Sequence, residues 1–128
     1  MTDMPMNLAT DSAPASTVSY EKLAVKRLAN CIIEIRKHQA ELQAQTIHVL
    51  LEVAIQPGLN MSELMRKTGL SQASCSRNVM LLSDRDRHDK PGLGLVRSEL
   101  DPIDNRRKIV RLTPKGETLV SQLADLVR

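Results

Sequence analysis

Residues 60–116 carry three kinds of local signal in a fixed order, and that order leaves few folds open. Asn60 and Glu63 stand three apart ahead of Leu64 and Met65. This suits a helix opened by a capping box, with Asn in the Ser/Thr position. Gly69 follows where a left-handed residue would end that helix, and Ser71 stands ready to cap another. Cys75, Val79 and Leu82 then fall at i, i+4 and i+7, which defines a buried face. Gln72, Ala73, Ser76 and Arg77 are left pointing outward. Two runs of strand character come next, residues 95–100 and 107–112, with turn chemistry at Asp101-Pro102 and Asp104-Asn105. Arg97, Arg106, Arg107 and Arg111 make this hairpin basic. A helix-turn-helix followed by a basic hairpin is the layout of a winged helix. The predicted class is mainly α with a small β-hairpin wing, an α+β winged helix-turn-helix with flanking helices.

Those flanks are helical by periodicity. Ser19 is a candidate N-cap, with Val18 and Leu23 placed as a hydrophobic staple. Leu28, Ile32 and Ile35 continue at helical spacing, so a first helix is expected over residues 20–37. A second block over residues 42–55 carries Ile47, Leu50, Leu51 and Ala54 on one face, and Gln56-Pro57-Gly58 stops it. No breaker separates the two. Thr113-Pro114 starts a last helix whose stripe is Leu119, Leu123 and Leu126 or Val127. The stripe of the first helix exceeds what one terminal helix needs, which suggests a partner helix; a plain core contact is the alternative. Residues 1–18 are rich in Thr, Ser, Pro and Ala without a period and read as a flexible arm. The domain is expected over residues 19–128, with its nucleic-acid-binding core at about residues 60–113.

Charge is unevenly spread. Residues 66–111 hold 11 Lys/Arg against 6 Asp/Glu, a local excess of +5 in a chain whose net charge is +3. The excess lies on the helix-turn-helix and hairpin, as an electrostatic footprint for nucleic acid would. Tyr20 is the sole aromatic residue. Single-strand and RNA modules usually stack bases on aromatic rings, so duplex DNA is the favoured nucleic acid. Cys31 and Cys75 match neither a disulfide framework nor a zinc pattern, and His38, His48 and His88 are scattered. Both cysteines read as small buried apolar side chains; a redox-sensing thiol is the alternative, with Cys31 the better placed beside Lys26, Arg27 and Arg36. No Ser/His/Asp set, metal cluster or Gly-rich phosphate loop has usable spacing, so an enzyme is not expected and no cofactor is called for. No apolar run approaches the roughly 20 residues needed to cross a bilayer, and the N-terminus lacks the features of a signal peptide. A cytoplasmic protein with no membrane partner is expected.

The ordered set Ser62-Glu63-Leu64, Gly69-Leu70-Ser71, Ser76-Arg77, Gly94-Leu95-Val96-Arg97, Asp104-Asn105-Arg106 and Val110-Arg111-Leu112-Thr113 … Gly116 resembles the multiple-antibiotic-resistance regulator (MarR) family of winged-helix proteins. The resemblance implies an obligate homodimer joined by its N- and C-terminal helices on a pseudo-palindromic duplex operator. It also implies that Asp104 orients Arg106 by an ion pair, that Arg106 enters a minor groove, and that residues 72–77 lie in a major groove. Many relatives bind a small-molecule effector between the dimerisation and DNA-binding regions. His38, His48 and several Met residues are candidates to line such a pocket, ordinary core or surface placement being the alternative. The sequence departs from the pattern in three places. Leu82 to Gly94 spans twelve residues where the family has four, so about eight are inserted within residues 83–93. Asn105 stands where Arg is common, and the last helix is short.

The expected function is a sequence-specific duplex-DNA-binding transcription regulator. The alternative is a winged-helix assembly module making protein contacts in a replication or transcription complex. The candidate DNA-binding residues are Ser71, Gln72, Ala73, Ser74, Ser76, Arg77, Arg97, Asp104, Asn105, Arg106 and Arg107. Gln72 and Ala73 are expected near base edges, where Gln pairs with adenine and Ala touches a thymine methyl. Ser74 and Arg77 are expected on phosphates; for Arg77 a surface salt bridge is the alternative.

Overall fold

The computed structural model of the chain describes residues 18–84 and 90–128. The arm expected over residues 1–18 lies, except for Val18, outside the described residues, as do residues 85–89 of the insertion. The elements run α1 (Lys22–Arg36), α2 (Ala44–Ile55), β1 (Leu59–Asn60), α3 (Met61–Thr68), α4 (Gln72–Leu82), β2 (Val96–Leu100), β3 (Lys108–Leu112) and α5 (Pro114–Val127). This is the expected α+β winged helix, with one addition. The hairpin is part of a three-stranded antiparallel sheet of order β1-β3-β2, in which Leu59 pairs with Val110 and Asn60 with Ile109. Two residues before α3 are too few to show a strand period, so β1 was invisible to pattern reading.

The element boundaries follow from local chemistry. The capping box forms as expected: Asn60 Oδ1 accepts from the Glu63 N–H at 2.9 Å and Glu63 Oε1 accepts from the Asn60 N–H at 3.0 Å. Gly69 ends α3 at φ 74°, a left-handed conformation that costs a side-chain-bearing residue about 1 kcal/mol. Ser71 Oγ caps α4 through the Ser74 N–H at 3.1 Å. At α1 the expectation is corrected: the cap is Glu21, whose carboxylate accepts from the Leu23 N–H at 2.8 Å, and not Ser19. Between α1 and α2 no Pro or Gly is needed to turn the chain. The Arg36 Nε reaches forward to the Ala40 carbonyl at 3.2 Å and closes the link.

The core is one cluster beneath the helix-turn-helix and sheet. Val49, Leu50 and Val53 of α2, Leu59, Leu64, Cys75, Leu82 and Leu95 are all fully buried, and Val96, Val110 and Leu119 nearly so. The predicted inner face of α4 is thus observed. The other flank is different. α1 and α5 pack on each other, yet Leu23, Leu28 and Ile32 of α1 are about half exposed, at 53, 61 and 47%. Only Cys31 and Ile35 of α1 are buried.

The insertion does not loosen the joint between α4 and the wing. The Gly92 and Gly94 N–H groups donate to the Asp84 and Ser83 carbonyls, and Leu93 and Leu95 donate to Leu81 and Leu82, all within 3.0 Å. Beyond the wing, Thr113 ties sheet to α5. Its Oγ1 donates to the Gly94 carbonyl at 2.6 Å and accepts from the Gly116 N–H at 3.1 Å, while its own N–H donates to the Leu95 carbonyl at 3.0 Å. A Cβ on Gly116 would sit 2.0 Å from that Leu95 oxygen. The Leu-Thr-x-x-Gly pattern therefore encodes a close backbone approach.

Candidate nucleic-acid interface

The outward side of α4 begins at its cap. Ser71, Gln72, Ala73 and Arg77 are exposed and Ser76 is half-buried. Ser74 is the exception to the expected set. It is 9% exposed, and its Oγ lies 3.4 Å from the Asn78 Nδ2, which also donates to the Ser74 carbonyl at 2.8 Å. Ser74, expected to reach a phosphate, is instead a buried side chain, for a geometric reason. α2 and α3 both flank α4, so its buried arc, Ser74, Cys75, Asn78, Val79 and Leu82, is wider than its apolar stripe.

The wing tip is braced by two aspartates. Asp104 accepts from Arg106 through both carboxylate oxygens, Nε to Oδ1 at 3.0 Å and a terminal guanidinium nitrogen to Oδ2 at 3.3 Å, and its Oδ1 also accepts from the Arg106 backbone N–H at 3.1 Å. The fork-to-fork pairing fixes the plane of the guanidinium. The Arg106 side chain nonetheless remains 89% exposed. Asp101, buried, accepts from the Ile103 N–H at 2.9 Å and from Arg107 at 3.1 Å. Both carboxyls are held below the usual aspartate range. For Asp104 the main cause is the Arg106 side-chain hydrogen bond, joined by its backbone N–H; for Asp101 it is the Ile103 N–H, joined by Arg107. Both are therefore ionised at neutral pH.

The sheet and helices gather part of the predicted set at one place. Gln72, Arg106 and Arg107 line a cleft of about 280 Å³ together with Asn60, Ser62 and Lys108. Asn60, Ser62 and Lys108 were missed from sequence. Their proximity to the wing depends on β1 pairing with β3, which joins segments some fifty residues apart. Arg77 lies elsewhere, on a polar cleft of about 260 Å³ with Glu41, Gln45, Thr46 and Asn78. Arg97 lies on a third surface, beside Asp84, Gly94 and Thr113, with its Nε 4.0 Å from Glu99. Asn105 is exposed at the wing tip. Among the described residues no cluster of His, Cys, Asp or Glu is arranged to hold a metal ion, and no helix is long and apolar enough to cross a membrane.

No protein-family model matches the chain, and no curated protein matches it. Solved structures do. MepR from S. aureus, solved in complex with DNA, is 19% identical, with 84% of this chain and 82% of that chain covered at a TM-score of 0.61. MarR from E. coli in its apo form is 18% identical, with 88% and 78% covered and a TM-score of 0.57. The PcaV transcriptional regulator from Streptomyces coelicolor, in complex with its natural ligand, is 22% identical, with 90% and 77% covered and a TM-score of 0.55. At these identities the likeness is one of architecture: the chain has the winged-helix fold of MarR-type transcription regulators.

Proposed function

We propose that this chain is a sequence-specific, duplex-DNA-binding transcription regulator that acts as a homodimer on a pseudo-palindromic operator. The observation that carries this reading is the wing tip. A guanidinium is held flat by a two-point carboxylate contact and yet left 89% exposed, beside the cleft that contains Gln72. An arginine whose only task was stability would gain little from so exposed a pair. A preorganised, solvent-facing arginine suits a minor groove, while the first turn of α4 suits the adjacent major groove. Arg107, Arg97, Asn105, Ser71, Ala73 and Ser76 complete the proposed surface, and Ser62 and Lys108 join it; Ser74 supports it from behind. A solved structure of the same fold is a DNA complex, which favours this reading over an assembly module.

The dimer rests on the uncovered apolar flank. Leu28, Ile32, Ile35, Ile47, Leu123 and Val127 help line a groove of about 550 Å³ between α1, α2 and α5. A second copy packing its own α1 and α5 there would cover it. A small-molecule effector belongs to the same reading, since one neighbour of this fold is described as regulated in DNA binding by 6-hydroxynicotinic acid. The proposed role places the protein in the cytoplasm, calls for no cofactor and involves no catalytic step.

Selection from a random duplex library, followed by salt titration, tests the proposal. The wild type is expected to enrich a two-fold-related sequence and to lose on the order of a thousandfold in affinity between about 50 and 200 mM salt, from roughly 6–10 phosphate contacts. Gln72→Ala should relax preference at one base pair per half-site, by about 1–3 kcal/mol, whereas Arg77→Ala should weaken all duplexes alike. Absence of duplex binding even at low salt would transfer the fold to the assembly-module role.

A further inference from the structure

Four polar side chains are buried among the described residues, and three of them meet at one point. Thr46 of α2 is 1% exposed, Asn78 of α4 is 5% and Ser74 is 9%. The Thr46 hydroxyl donates to the Asn78 Oδ1 at 2.5 Å, and the Asn78 Nδ2 donates to the Ser74 carbonyl at 2.8 Å. The Ser74 N–H, in turn, is held by the Ser71 cap at 3.1 Å. The first turn of α4 is therefore fixed from both sides: its N–H groups by Ser71, its carbonyl by Asn78, and Asn78 by α2. The other polar ties of α4 are the Leu81 and Leu82 carbonyls at its C-terminal end, which accept from the Leu93 and Leu95 N–H groups, and the 3.7 Å contact of Thr68 Oγ1 with Cys75 Sγ; the rest of its buried face is apolar packing, which resists separation but allows rotation. A directional hydrogen bond between α2 and α4 adds, in the half of α4 nearer the first turn, an angular restraint that apolar packing lacks.

We propose that the Thr46–Asn78 pair is a positioning device that sets the rotation of α4 about its axis, and so determines which side chains of residues 72–77 face the groove. The inference rests on the DNA-binding reading above. Asn78 touches no DNA in this scheme; it acts through Gln72 and Arg77. Arg77 immediately precedes Asn78 in the helix and lines the same polar cleft as Thr46 and Asn78, so a turn of α4 about its axis moves it directly. The pair also has a cost that a purely structural role would avoid. Two apolar groups of the same shape could fill this site with little loss of stability, because each buried polar partner must otherwise be desolvated.

That difference supplies the test. The double variant Thr46→Val/Asn78→Leu removes both partners of the inter-helix bond, and the Ser74 hydroxyl loses only its long 3.4 Å contact with Asn78. Its thermal midpoint is expected to stay close to wild type, while its affinity ratio between the duplex enriched by wild type and mixed-sequence genomic duplex falls about tenfold or more. Thr46→Ser retains the hydroxyl and should retain the ratio. Thr46→Val alone, a near-isosteric change, should lower both stability and ratio, and carries the test if the double variant does not fold. A folded double variant that discriminates as wild type does would overturn the inference while leaving DNA binding intact. Failure of the wild type itself to enrich any duplex would instead remove the DNA-binding reading, and the inference with it.

Discussion

Replacing Asp104 by Asn separates preorganisation of the wing from its charge. The carboxylate holds the Arg106 guanidinium at two points and its backbone N–H at a third. Asn can keep the backbone and Nε contacts, which both fall on Oδ1, through its carbonyl oxygen, but its amide nitrogen is a donor and cannot receive the second guanidinium nitrogen, and the ionic attraction is lost. Because the Arg106 side chain is 89% exposed, the ion pair contributes little to fold stability, so the thermal midpoint should move by a few degrees at most. The effect on recognition is larger. An arginine held at one neutral point instead of by a charged fork must be immobilised again on binding, at up to about 0.5–1.5 kcal/mol per side chain. With two wings in the proposed dimer, specific affinity should fall by about 1–3 kcal/mol, or roughly 5- to 150-fold. Charge acts in the opposite direction. Removing one negative charge per protomer beside the DNA should leave non-specific affinity unchanged or raise it. Fluorescence anisotropy on the enriched duplex and on genomic DNA at matched salt therefore has an expected signature: specific binding weaker, non-specific binding equal or tighter. If both affinities rise together, Asp104 does not orient Arg106 for DNA and acts only as a repulsive charge.

Other outcomes follow from the same geometry. Gly116→Ala should cost about 3 kcal/mol or more by urea unfolding, because its Cβ would meet the Leu95 carbonyl oxygen at 2.0 Å. Gly69→Ala, with open space around the new methyl, should cost about 1 kcal/mol from its left-handed backbone alone; equal costs would contradict the close approach of α5 to β2. Ile32→Glu places a charge in the groove between α1 and α5 and should yield monomers by sedimentation at micromolar concentration, where the wild type is expected to sediment as the proposed dimer. For pH, the folded-state depression of Asp101 and Asp104 means that their stabilising contribution is fully present above the ordinary aspartate value of 3.8 and is lost as pH falls through the lowered values. The wing brace should therefore be constant from neutral pH down to about 5 and loosen only in stronger acid, as read from the Arg106 Nε–H resonance; loosening near pH 6 would contradict the carboxylate assignment.

The sequence by itself determined the features whose physics is local. Asn60 and Glu63 reciprocate within three residues, Ser71 and Thr113 cap the helices that immediately follow, and Gly69 relieves a backbone conformation at its own position. The inner face of α4 was also legible, because Cys75, Val79 and Leu82 repeat with the helical period and all three are buried. The Asp104–Arg106 pair, which the family resemblance implies, is local too: the two residues stand two apart across a turn, and their contact requires no distant element. Tertiary structure decided what depends on neighbours remote in the chain. Ser74 and Asn78 became interior because α2 lies across one flank of α4, where Thr46 meets Asn78 over a separation of 32 residues. Ser62 and Lys108 entered the candidate site because β1 pairs with β3. The apolar face of α1 was plain in the sequence, but only packing shows that Cys31, against Leu123 of α5, and Ile35 are buried while Leu28 and Ile32 stay half exposed. Periodicity reports which side of a helix is apolar; how wide an arc is buried, and what is brought against it, is set by the number and angle of the elements that pack there.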